Sequence, residues 1–235
     1  MITVGNIINF KTDWQVKLFI ESRALREIGS GSEGTCYLGN DGKVYKLIEF
    51  ENADPYVATE VVTEEEGPFQ SFAFPEELYA VNNKLKGYRT RRVKQDLFAG
   101  ENIFDFANIA NLDFAAVSLA YKRMLLDIVG ISSRKVLIFD LPFNIMFDGE
   151  SFTAIDTCGY KKVNYDPLID NLKSLNLAME SLFRLWFQSY QEFNEKIHRT
   201  DIDDFLSRVQ SRIPKELYTN RNINLFDDDY DVKSR

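Results

Sequence analysis

A glycine-rich loop followed by a tight turn constrains the fold of this chain more than any other feature. Residues 29–46 read GSGSEGTCYLGNDGKVYK, in which Gly29, Gly31 and Gly34 form the pattern G-x-G-x-x-G. Glycines at this spacing let the backbone bend over an anion and present its N–H groups without obstruction by a Cβ atom. A dinucleotide-binding fold would need a helix at the third glycine, but β-prone runs on both sides of residues 40–42 indicate a hairpin. The pattern therefore predicts a β-hairpin flap over a phosphate group.

A lysine lies on the strand that follows this turn. Lys46 alternates with Tyr45 and Leu47, so it shares a strand face with Val44 and Ile48. A lysine on the inward face of an apolar strand is costly to bury unless an anion compensates for its charge. The position favours a lysine that faces a phosphate, and an edge-strand lysine that faces water is the alternative.

The next segment has the signals of a helix. Residues 54–66 begin with an aspartate cap and Pro55 at the first helical position, and a Gly-Pro pair ends them. This pattern predicts a helix of about three turns. Glu60 lies between two apolar residues and is the candidate partner of Lys46, with Glu64 one turn later as the alternative.

Polar residues follow two apolar strands further along the chain. The apolar run 136–139 ends at Asp140, Asn144 follows, and a second predicted hairpin leads into Asp156. Transfer of a γ-phosphoryl group needs a carboxylate near the acceptor hydroxyl and oxygen ligands for Mg²⁺. Asp140 fits the first role, and Asn144 with Asp156 fits the second. Taken singly, each aspartate could also be an ordinary turn residue.

Together these motifs resemble a divergent bacterial protein kinase-like fold, related in layout to protein kinases and aminoglycoside phosphotransferases. The resemblance covers residues 25–186 and implies an α+β, two-lobed fold. It places a small antiparallel β lobe with one helix in residues 1–93 and a mainly helical large lobe in residues 94–221. Local patterns predict a hairpin over residues 78–88, a long helix over residues 111–130 that Gly130 ends, and amphipathic helices over residues 175–217. Residues 222–235 form an acidic tail that is predicted to be disordered.

The resemblance also implies ATP and Mg²⁺ as cofactors and assigns roles to residues. Asp140 would be the catalytic base, Lys46 and Glu60 the ion pair at the phosphates, and Asn144 and Asp156 the metal ligands. The residues expected to contact the nucleotide lie in the glycine loop and on the two strands after it, and they are Gly29, Ser30, Gly31, Ser32, Gly34, Cys36 and Lys46.

Three departures from the family pattern leave the function open. Asp140 and Asn144 are four positions apart instead of five, Asp156 is followed by Thr-Cys instead of Phe-Gly, and residues 158–167 are too short for a peptide platform. One hypothesis is an ATP-dependent phosphotransferase acting on a hydroxyl of a protein or small molecule. The other is a catalytically impaired kinase-like module, a pseudokinase, with a binding or regulatory role. An unrelated α+β protein is the third alternative.

Composition limits the partners. There are 36 acidic and 28 basic residues, and the net charge of −8 argues against nucleic acid or an anionic membrane as a general partner. No apolar stretch is long enough to span a membrane and the first residues lack a secretory pattern, so a cytoplasmic location is expected. Cys36, Cys158 and His198 cannot form a disulfide framework or a zinc centre, and any metal would therefore have oxygen ligands.

Overall fold

The computed structural model of the chain describes residues 7–49, 56–63, 69–93, 114–141 and 144–179. These residues are mainly β, with one six-stranded sheet, two small two-stranded sheets and few helices. No helix in this part of the chain is both long enough and apolar enough to cross a membrane.

The six-stranded sheet forms the frame of the fold. Its strands are β1 (Ile7–Phe10), β2 (Ala24–Gly31), β3 (Gly34–Gly39), β4 (Val44–Ile48), β5 (Pro75–Val81) and β6 (Lys84–Thr90). They lie in the order β1-β5-β6-β4-β3-β2, and all neighbours are antiparallel except β1 and β5. The predicted hairpins are confirmed as β3–β4 and β5–β6. In the second, Asn82 and Asn83 both adopt the left-handed conformation that its two-residue turn requires.

One face of this sheet is covered by α1 (Asp13–Glu21). The threonine before the helix caps it by accepting a backbone hydrogen bond. Val16 and Ile20, one turn apart and fully buried, pack against Leu47 and its neighbours on the sheet. Because side chains alternate along β4, Lys46 lies on the opposite face from α1.

The second part of the described chain contacts that opposite face through residues 156–158. Its elements are α2 (Phe114–Ser133), β7 (Val136–Leu137), β8 (Ile145–Phe147), β9 (Phe152–Ala154), β10 (Lys161–Lys162) and the helical residues 168–179. The predictions of a long helix ending near residue 130 and of a hairpin near residue 148 are confirmed by α2 and by β8–β9. The Ala73 N–H donates to the Ala154 carbonyl at 2.9 Å, which attaches β9 to the segment before β5.

The predicted fold class is wrong for the described residues. A two-lobed arrangement with a mainly helical large lobe was expected, but the six-stranded sheet dominates, and residues 136–162 after α2 form two further small sheets. The two apolar runs that were predicted as strands pair locally, Val136–Leu137 with Lys161–Lys162 and Phe152–Ala154 with Ile145–Phe147. Most of the helices expected over residues 175–217, and the acidic tail, lie outside the described residues.

The prediction of a three-turn helix over residues 54–66 is also wrong for the part that the structure describes. Residues 56–63 contain only the 3₁₀ turn Ala58–Glu60, with extended backbone on both sides. Tertiary pairing explains the difference, because the Ala58 N–H donates to the Asn83 carbonyl and Val57 forms a bridge to β6. The rest of the predicted helix lies outside the described residues.

Gly34 is the glycine of the loop whose lack of a side chain the fold requires. Its φ is +147°, and a Cβ atom added there would lie 1.9 Å from the Leu47 carbonyl oxygen. At Gly29 and Gly31 an added Cβ would have no atom within 4 Å. Of the three glycines, only Gly34 brings the β2–β3 turn into direct contact with β4.

We expect Gly34→Ala to lower the free energy of unfolding by at least about 2 kcal/mol, because the backbone of β3 must move away from β4. Gly29→Ala, at an open position of β2, should change it by less than about 1 kcal/mol. Urea titration of both variants measures the difference. Equal stability of the two variants would contradict this account of the turn.

Candidate functional site

Lys46 lies at the centre of a cluster of charges between the sheet and the segment after β9. Its side chain projects from β4 and is 8% exposed. The ammonium nitrogen is 2.5 Å from Asp156 Oδ2 and 2.9 Å from Glu33 Oε2. Burial disfavours the charged amine, but the two carboxylates outweigh this effect and raise the pKa of Lys46. Lys46 is therefore a permanent cation at this site.

Asp156 is held in place from both sides. It follows β9 and adopts the left-handed conformation, with φ of 54°. The buried Tyr88 hydroxyl donates to Asp156 Oδ1 at 3.3 Å, and Tyr88 is the cross-strand neighbour of Lys46. Adjacent strands of the large sheet therefore bind both carboxylate oxygens, and this anchors the end of β9 on the sheet.

Glu33 reaches the same lysine from the turn between β2 and β3. The Tyr56 hydroxyl donates to its Oε1 at 3.4 Å. Burial, followed by the Asp156 carboxylate, raises the pKa of Glu33 above its ordinary value of 4.5, although Lys46 acts in the opposite direction. Two carboxylates thus share one ammonium, and the cluster carries a net negative charge when both are ionised.

The other residues of the predicted nucleotide loop have different positions. Gly29, Ser30, Gly31 and Ser32 are exposed at the tip of the β2–β3 hairpin. Cys36 is half-buried on β3, directly across from Lys46 in the ladder, so both side chains are on the same sheet face. The loop therefore lies beside the lysine, with its tip open to solvent.

Asn144 lies beside the end of β9, and Asp140 follows β7 by three residues. Asp140 is exposed and has φ of 51°. The Ile155 N–H donates to the Asn144 carbonyl at 2.8 Å, which places Asn144 and Asp156 at the same end of the β8–β9 hairpin. Burial and then the charges of Asp156 and Asp140 raise the pKa of Tyr160. The negative charges of both aspartates therefore disfavour ionisation of Tyr160.

That tyrosine is itself unusual. Tyr160 is 1% exposed and packs edge-to-face against the stacked rings of Phe72 and Phe74. Its hydroxyl has no hydrogen-bond partner among the described residues. A buried donor without a partner fits a polar ligand or ordered water at this position.

A buried asparagine fixes the strand that leads to Asp140. Asn171 is fully buried, and its Oδ1 accepts a hydrogen bond from the Ile138 N–H at 2.8 Å. Its amide nitrogen donates to Ser132 Oγ at 2.9 Å and to the Val136 carbonyl at 2.8 Å. These three bonds connect the helical residues 168–179 with α2 and β7, so the backbone before Asp140 has one arrangement.

The predicted partner of Lys46 needs correction. Glu60 is exposed in the short 3₁₀ turn, and Glu33 and Asp156 provide the carboxylates at the ammonium instead. Glu64 lies outside the described residues. The sequence signal that we missed is an acidic residue inside the glycine loop itself, between Ser32 and Gly34.

The oxygen donors near Lys46 are too few to hold a metal ion by themselves. No group of three or more His, Cys, Asp or Glu side chains in the described residues could hold one by protein ligands alone. Mg²⁺, however, commonly takes one or two protein oxygens and completes its shell with phosphate and water. Asp156 and Asn144 fit that incomplete type of site and could hold the ion together with a bound phosphate.

Comparison with known proteins gives no family for the chain. No protein-family model matches it, and a search of curated proteins finds no significant match. The chemistry of the site therefore rests on the residues described above.

Glu33 gives the site a pH dependence. Because folding raises the pKa of its carboxyl, the protonated form is favoured in the folded state. This contribution to stability is present below about pH 4.5 and is lost as the pH rises through the raised pKa.

We therefore expect Glu33→Gln, which mimics the protonated acid, to gain stability relative to the wild type between about pH 4.5 and 7. Urea titrations across this interval measure the difference. Glu49→Gln, which removes the same charge from an exposed residue at the end of β4, is the control. A relative stability of Glu33→Gln that falls with rising pH would show that the ion pair with Lys46 dominates.

Proposed function

We propose that the chain binds ATP with Mg²⁺ at the Lys46 cluster and transfers the γ-phosphoryl group to a hydroxyl of a protein or small-molecule acceptor. The observation that carries the proposal is the buried Lys46 beside Asp156, which reaches it from a different part of the fold. A buried cation next to a hard-metal ligand suits a polyphosphate that carries a divalent ion. This chemistry does not require a helical large lobe. Because ATP is available in the cytoplasm, the proposal includes a cytoplasmic location.

The residues divide the work as follows. Lys46 would bind the phosphate oxygens, and the β2–β3 hairpin would cover them. Asp156 and Asn144 would hold Mg²⁺, which neutralises phosphate charge when bound. Asp140, which is exposed, would accept the proton of the acceptor hydroxyl. In the same step the oxygen of that hydroxyl would bond to the γ-phosphorus. The bond from that phosphorus to the bridging oxygen breaks, and ADP leaves.

A binding or regulatory module without catalysis is the second candidate function. One observation favours it: the ammonium of Lys46 already contacts two carboxylates, so a phosphate would have to displace one of them. The interval of four residues between Asp140 and Asn144 is also one shorter than in active kinases of the resembling families. This candidate would bind nucleotide, or a partner, without turnover.

The role of Asp156 is tested through the metal. We expect Mg²⁺ to tighten ATP binding to the wild type and to have no such effect on Asp156→Asn, because a hard divalent cation depends on an anionic oxygen ligand. Calorimetric titration of ATP at several Mg²⁺ concentrations measures this. Asp170→Asn, on the exposed surface of residues 168–179, is the control. A normal metal response in Asp156→Asn would place the ion elsewhere.

The role of Asp140 separates the two candidate functions. We expect Asp140→Asn to keep ATP affinity and to lose at least about 10²-fold in turnover, the usual contribution of a general base. ADP release with and without candidate acceptors measures turnover. If the wild type binds ATP but releases no ADP above buffer, the module is the better description. If Asp140→Asn is fully active, another group is the base.

A further inference from the structure

The glycine turn contains its own anion for Lys46. Glu33 Oε2 is 2.9 Å from the ammonium, a distance at which a phosphate oxygen would bind. We infer that Glu33 determines ligand selection at the proposed nucleotide site by occupying the phosphate position on Lys46, so that a ligand binds only by displacing the Glu33 side chain. This inference rests on the proposed function and adds a residue that no family pattern assigned.

The ammonium offers little room for a third anion. Lys46 has three N–H donors, and two contacts already hold it, from Glu33 and from Asp156. Cys36 and Tyr88, the cross-strand neighbours of Lys46 on both sides, flank the same side chain within the sheet. The side chain of Lys46 is only 8% exposed, so its third N–H donor has little access to solvent, and a phosphate binds the ammonium by replacing one of the two carboxylates.

Glu33 is the carboxylate that can leave. Its side chain is 36% exposed, whereas the side chain of Asp156 is 21% exposed. Asp156 is also bound by Tyr88 and follows a paired strand, but Glu33 lies in a two-residue turn. The backbone of Glu33 stays paired, because the Glu49 N–H donates to the Glu33 carbonyl at 3.0 Å, so the exchange is a movement of the side chain.

The exchange has a consequence for affinity and selectivity. A ligand must break the ion pair between Glu33 and Lys46 before it binds. Its apparent dissociation constant is therefore the intrinsic constant divided by the fraction of molecules in which Lys46 is free. A polyphosphate replaces the lost ion pair with its own contact to Lys46, and a neutral ligand does not. Once displaced, Glu33 also stays near the phosphates and repels them until it moves further away.

The test compares Glu33→Gln with Glu49→Gln. Gln has the shape of Glu without its charge, so the fold of the turn is preserved while the competition for Lys46 weakens. Glu49 is exposed two residues after β4 residue Leu47 and receives a hydrogen bond from Thr35, and its change to Gln removes the same charge nearby. We expect Glu33→Gln to bind ATP with Mg²⁺ about tenfold more tightly than the wild type, and Glu49→Gln to differ by less than about twofold.

The binding results separate the two proposals. Wild-type binding of ATP with no gain in Glu33→Gln overturns the role of Glu33 and leaves the proposed function standing. Binding by Glu33→Gln alone supports a self-blocked site. If ATP binds to none of the three proteins, the nucleotide function is wrong and this inference is wrong with it.

Discussion

The contact between Lys46 and Asp156 joins the two parts of the structure that form the candidate site. One partner belongs to the middle of the six-stranded sheet and the other follows β9, far along the chain. Taking two ions out of water costs several kcal/mol each, and their attraction repays this only with good geometry and further hydrogen bonds. The Tyr88 hydroxyl supplies one such bond. Because an apolar pair of similar volume would often be equally stable, stability alone does not explain the ions, and this favours a chemical role.

Backbone conformation at this site depends on support from a distance. Asp140 and Asp156 both have positive φ, a conformation that aspartate tolerates better than most residues but that still needs a surrounding structure to select it. For Asp156 the support is its pair with the sheet. For Asp140 it is Asn171, whose hydrogen bonds fix the preceding backbone at Val136 and Ile138. A polar residue in the core therefore determines where an exposed carboxylate is placed.

Local signals in the sequence were enough for much of the fold. The hairpins β3–β4, β5–β6 and β8–β9 have turn residues next to alternating apolar runs, and α2 has a long apolar period, so their neighbours in sequence specify them. Residues 56–63 differ because pairing with β6 overrides a good helix cap. Motif order predicted that Lys46 and Asp156 belong to one nucleotide site, but it paired Lys46 with Glu60. Glu33 was not identified, because its contact depends on how closely the turn at Gly34 packs on β4.

Charge balance explains how one geometry is compatible with both candidate functions. One ammonium faces two carboxylates, so the closed cluster has no excess positive charge with which to attract a polyphosphate. Moving Glu33 away removes one negative charge, and a divalent ion on Asp156 would then make the site positive. Both an enzyme and a nucleotide-sensing module would need this movement of Glu33, since each must differ between its empty state and its nucleotide-bound state. What differs between them is Asp140, which has no part in the cluster's charge pairing and becomes important only when an acceptor hydroxyl is present.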